Sequence, residues 1–177
     1  MNKADLETKS LVYITLSAYV LNLLFSLLGY LCDHFSTSQT LFFQVGNAFA
    51  ILASVMAGRY TGLRGQHVAA SAYILLGITH GISLAALSRT AINVDRGMTM
   101  AMPMIPALVC IFWCSLYPLW LRAAGIIPIV LFALVYINVQ MGGDYFGWRL
   151  EAGYGTLQAI ELLWGIYILK DWRENSK

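Results

Sequence analysis

Residues 11–31 read LVYITLSAYVLNLLFSLLGYL, a run with no charged side chain. At about 1.5 Å per residue it makes a helix roughly 30 Å long, the thickness of a bilayer's hydrocarbon core. The run is too long for the apolar region of a signal peptide, and Lys3, Asp5, Glu7 and Lys9 precede it. It is therefore expected to stay as a first membrane span. Cys32 follows Gly29, Tyr30 and Leu31 rather than the small residues of a lipoprotein signal, so lipid anchoring is not expected.

Working outward from this run, apolar stretches separated by short polar or glycine-rich breaks give five more spans. Together the six are Leu11–Leu31, Leu41–Ala57, Val68–Ser88, Met102–Leu121, Ile126–Met141 and Thr156–Leu169. Only helices or closed barrels satisfy the backbone in hydrocarbon, and these runs are too long for barrel strands. The fold class expected is all-α, a polytopic bundle of six transmembrane helices in one integral membrane domain, residues 1–177. A five-span arrangement, with the short second or sixth run lying along the interface, is the competing topology.

Composition agrees. The 177 residues are 59% hydrophobic and 11% charged, with a mean hydropathy of +0.67, whereas soluble domains carry about 25% charged residues. No length is left for a separate soluble catalytic domain. A net charge of +2 from 11 Lys and Arg supplies no basic stripe, which argues against nucleic-acid binding. Three cysteines, Cys32, Cys110 and Cys114, exclude a disulfide framework and form no Cys-x-x-Cys pair.

Basic residues in the connections set the expected orientation. With the N-terminus inside, Lys3, Lys9, Arg59, Arg64, Arg122, Lys170, Arg173 and Lys177 are cytoplasmic, and only Arg89, Arg96 and Arg149 lie opposite. Both termini are thus expected in the cytoplasm, in a bacterial inner membrane. Pro103 and Pro106 are expected to open the fourth helix, where a missing N–H costs little.

An internal echo relates MAGRYTGLRG at 56–65 to MGGDYFGWRL at 141–150, an offset of 85 residues. Two three-helix halves, 1–88 and 89–177, would insert in opposite senses, as inverted-repeat transporters do. Coincidence is the plainer explanation, since Gly, Tyr and Arg are frequent at membrane boundaries.

Polar side chains inside hydrocarbon are costly, so their positions carry the functional argument. The outer half collects Gln44 and Asn47, Thr79, His80 and Ser83, Asn138 and Gln140, and Gln158 and Glu161, while the inner half is expected to be nearly bare. His80 and Glu161 fall at one depth and are expected to pair, as the protonating or catalytic couple. On the first helix Thr15, Tyr19, Asn22 and Ser26 form a helical stripe. Gln44, Asn47, Asn138 and Gln158 are the candidate ligand-orienting residues. Asp144, Trp148 and Arg149 in an outer loop are candidate gating or ligand-contacting residues. Interhelical glue and an interfacial aromatic belt are the alternatives for the amides and for Trp148.

Other chemistry is poorly supported. Met98, Met100, Met102 and Met104 precede Cys110 and Cys114, a soft set that suits Cu(I), but strict alternation scatters the methionines around a helix. No metal site or cofactor is expected. No Ser-His-Asp order, phosphate loop or haem-ligand pair is present. The leading expectation is a membrane protein that binds or carries a small or amphipathic ligand through an outward-facing polar pocket. The alternatives are an intramembrane acid–base enzyme acting on a lipid or isoprenoid, and an accessory subunit. Membrane lipids, the ligand and a further copy of the chain are the partners compatible with this reading.

Overall fold

A computed structural model describes residues 3–34, 36–86, 94–143 and 147–176, leaving aside the side chains of 3, 4, 86 and 94–102. The described residues are helical: α1 (Lys3–Tyr30), α2 (Thr37–Leu63), α3 (His67–Ala86), α4 (Val94–Ile111), the short α5 (Leu119–Ala124), α6 (Ile126–Gln140) and α7 (Trp148–Asn175). No strand occurs among them. Four segments are long and apolar enough to cross a membrane: Asp5–Tyr30, Thr37–Leu63, His67–Ala85 and Leu119–Gln140. This is what a membrane protein requires.

The six long helices close a ring in the order α1, α2, α3, α4, α6, α7, with α7 returning to α1. Large apolar side chains such as Leu27, Ile78 and Ile137 are more than half exposed on its outside. Lipid would cover these positions at no cost, whereas water would not. Inside, Leu76, Leu157, Phe132, Trp164 and Ile168 are buried.

Several helices run past the expected limits. α1, α2 and α7 have 28, 27 and 28 residues, about 40 Å each at 1.5 Å per residue, which matches a bilayer with its headgroup layers. Hydropathy alone misses such ends, because the last turns are polar yet still hydrogen-bonded as helix. Ser36 sets the start of α2: its hydroxyl accepts from the Gln39 N–H at 3.1 Å, filling one of the orphan donors of the first turn.

The expected fourth span, Met102–Leu121, is corrected. α4 starts earlier, at Val94, and ends at Ile111, and the chain turns through 112–118 before Pro118 opens α5 with an extended backbone (φ −62°, ψ 153°). Proline forces this break, because its ring disfavours helical geometry at the preceding residue and it donates no N–H. Pro103 and Pro106 consequently lie inside α4 rather than at its start. Gln66 Oε1 accepts from the Ser115 N–H at 3.2 Å, fastening the 112–118 turn to the connection between α2 and α3.

The two echo segments differ in local structure. Residues 56–63 belong to α2, whereas 141–143 form a turn and α7 begins at Trp148.

Candidate functional site

Glu161 lies midway along α7 and is fully buried, pointing into the ring rather than outward. Its Oε1 stands 2.9 Å from His80 Nε2 on α3, and its Oε2 accepts from Asn22 Nδ2 on α1 at 3.0 Å. His80 Nδ1 in turn faces Asn47 Oδ1 on α2 at 3.2 Å. Three helices therefore meet at one carboxyl group, and α2 joins them through His80.

Hydrogen-bonding chemistry fixes the proton count here. Asn47 Nδ2 donates to the Phe43 carbonyl at 3.0 Å, so its Oδ1 is the atom turned to His80. An amide oxygen only accepts, hence His80 Nδ1 carries a hydrogen. One further hydrogen then lies between Nε2 and Oε1. Either an imidazolium gives it to a carboxylate or a neutral carboxyl gives it to an imidazole, and the net charge of the pair is zero in both cases. Neutrality is what a fully buried pair requires, since an uncompensated charge there would be strongly penalised.

A second layer lies one turn along α7 toward Tyr154. Gln158 Nε2 donates to Ser26 Oγ at 2.6 Å, and the hydroxyls of Ser83 and Tyr154 are 3.3 Å apart. The spacing Tyr154, Gln158, Glu161 is one helical face, as the sequence pattern requires.

The expected residues divide into two groups. His80, Glu161, Asn47 and Gln158 enter the buried network. Gln44 is partly buried on α2, one turn before Asn47. Asn138 is partly buried on α6, its side chain 2.7 Å from where a Cβ on Gly143 would stand, so it shapes the turn after α6. Trp148 is 65% exposed and carries the Arg149 guanidinium 5.2 Å from its ring centre, a cation–π pair at the head of α7. Asp144 lies outside the described residues, as do the side chains of Met98, Met100 and Met102. Met104 and Cys114 are buried in the core. Burial pushes the Cys114 thiol up to about 11. Among the described residues no three His, Cys, Asp or Glu side chains converge.

Asn22 and Ser26 were legible as part of the α1 stripe but not as partners of Glu161 and Gln158. Further hydroxyls occupy the other half of the bundle, which is not bare. Tyr73 and Tyr117 are buried with their hydroxyls 2.6 Å apart, and Tyr60 donates to Asp171 Oδ2 at 2.6 Å. Arg64 Nε closes this end at 2.9 Å from the same carboxylate. A count of polar residues does not disclose these groups, because a tyrosine counts as apolar in composition although its hydroxyl needs a partner when buried.

Comparison of the chain with protein families, curated proteins and solved structures finds no match.

Proposed function

We propose that this is a six-crossing integral membrane protein that binds and carries a small or amphipathic ligand at the His80–Glu161 centre. α4 and α7 are the fifth and sixth crossings in this reading, since each fills a gap in the ring beside apolar helices. The basic residues favour both termini in the cytoplasm, the Asp171 end inside and the Tyr154 end outside, in a bacterial inner membrane.

One observation carries the proposal: a wholly buried carboxyl that ties α7 to α3 and α1 through bonds that depend on its protonation. A further proton on Glu161 would place a hydrogen on Oε2, where Asn22 Nδ2, itself a donor, stands 3.0 Å away. Two hydrogens cannot share that contact unless the Asn22 amide turns its oxygen inward, and the pair would then carry a net positive charge that a buried site penalises, so protonation favours opening of α1 from α7. The groups exposed by such a loosening, Asn22, Ser26, Asn47 and Gln158, offer both donors and acceptors to a ligand. In the closed form each satisfies another protein group, which keeps the ring stable without cargo.

The experiment is purification in native lipid discs followed by mass spectrometry of co-extracted small molecules. Wild-type protein is expected to retain a species that Glu161→Gln lacks while keeping its helix content. If neither sample carries any molecule, the carrier reading falls. The complete internal pairing of the network favours a second reading, an accessory subunit whose polar groups only hold helices together. A fixed protein partner in native mass spectrometry, with no ligand, supports that one. An enzyme using the same pair would instead leave a converted lipid or isoprenoid in extracts of expressing cells.

A further inference from the structure

Between Glu161 and Asp171 the bundle contains buried polar atoms that the protein does not satisfy. Tyr19 Oη, Ser54 Oγ and Trp164 Nε1 are buried with no hydrogen-bond partner. Native interiors rarely leave such atoms unpaired, and where several gather, water is the usual partner. A water molecule both donates and accepts, which suits two hydroxyls and an indole N–H.

These atoms are not scattered. Trp164 is one turn from Glu161 along α7, and its ring packs edge-on to Tyr73 with centroids 5.5 Å apart and stacks on Tyr117 at 6.0 Å. Tyr19 belongs to α1, one turn from Asn22, and its ring stands 3.1 Å from where a Cβ on Gly165 would be. Tyr19 Oη lies beside Ser54 Oγ without a direct bond, and Trp164, stacked on Tyr117, is the chain neighbour of the Gly165 on which the Tyr19 ring packs. The Tyr73–Tyr117 hydroxyl contact at 2.6 Å and the Tyr60–Asp171 contact at 2.6 Å are already made. At the far end Asp171 is about one-fifth exposed and Arg64 one-third, so this end meets solvent.

We propose that the hydroxyls of Tyr19, Ser54, Tyr73 and Tyr117, bridged by water, form a proton relay between the solvent-reached Asp171 and the buried Glu161. Each hydroxyl accepts a hydrogen on a lone pair and passes its own onward, so no phenolate forms and one proton is displaced along the whole file. The proton ends on Glu161, making the imidazolium–carboxyl state that conflicts with Asn22. The relay deepens the carrier reading by naming the proton as the ion exchanged at that site, and it rests on that reading only for its purpose.

Infrared spectroscopy on the full chain in lipid tests it. The bands lost in Glu161→Gln identify the pair, and replacing H₂O by D₂O shifts them as the shared proton exchanges, with the amide I band reporting helix content in the same sample. Exchange is expected to slow at least tenfold in the Tyr73→Phe/Tyr117→Phe double variant and in Tyr19→Phe, whose rings still pack, and to keep the wild-type rate in Tyr154→Phe at the opposite end. Wild-type speed in the Tyr73 and Tyr117 variants, or slowing in Tyr154→Phe alone, overturns the relay. Because no organic ligand is used, the carrier reading can fail with the relay intact, and the reverse.

Discussion

Glu161 illustrates how a single residue constrains its surroundings. It interrupts the apolar run 156–169, which made it conspicuous in the sequence, and His80 was recognisable as its partner from depth alone. What depth could not supply was the rest of the shell. Asn22 bonds Glu161 across 139 positions of sequence, and only the rotation of α1 about its axis brings it there. Removing one member of a buried pair leaves the other unpaired, at a cost of about 3–5 kcal/mol, whereas replacing both by apolar residues is often near neutral. His80→Leu and Glu161→Leu are each expected to lose stability in that range, and the double variant is expected to lose less than either. Denaturant titration of the three proteins in detergent decides it. A double variant as unstable as the sum of the singles would mean that the two residues act separately.

At the level of elements, α1 and α7 approach closely because Gly165 has no side chain. A Cβ there would lie 3.1 Å from the Tyr19 ring and 3.2 Å from Leu16 Cδ1, so both side chains would have to give by a few tenths of an ångström. Gly165→Val is expected to cost about 1–3 kcal/mol by overpacking and to lengthen the Asn22–Glu161 contact, seen as a lower thermal midpoint. Gly155, on the same helix, has open space at the corresponding position. Gly155→Ala should be neutral or gain up to about 1 kcal/mol through helix propensity. Equal losses at both positions would remove the close-packing argument. The existence of α1, α2, α3 and α6 was readable from their continuous apolar runs. The ends of α1 and α7 were not, since charged turns at 3–9 and 170–175 continue these helices beyond hydrocarbon. Pro118 separates α4 from α5 and hands residues 119–124 to the following span, a break that the apolar run 102–121 does not disclose.

In the proposed six-crossing reading orientation is a property of the whole molecule, because successive connections then alternate between two sides. On that reading eight of the eleven basic residues belong to the Asp171 side, which is proposed to be cytoplasmic. Cys32, in the connection after α1, then faces outward, while Cys114 sits at the opposite end in the 112–118 turn and is fully buried. A membrane-impermeant maleimide applied to intact cells is expected to label Cys32 and to leave Cys114 unmodified. Labelling of Cys32 only after the cells are opened would invert the topology. Cys114 supplies an independent check on the packing of that end. Its thiol is raised to about 11 by burial, so at pH 8 only about one molecule in a thousand carries the reactive thiolate. The sign is fixed: a raised thiol reacts more slowly at neutral pH, and alkylation in opened cells should speed up about tenfold per pH unit until the pH approaches 11. Rapid modification of Cys114 at pH 7 in folded protein would show that the 112–118 turn is open to water. The wall behind Tyr117 would then be breached, and a relay passing that hydroxyl would exchange with solvent there rather than at Asp171.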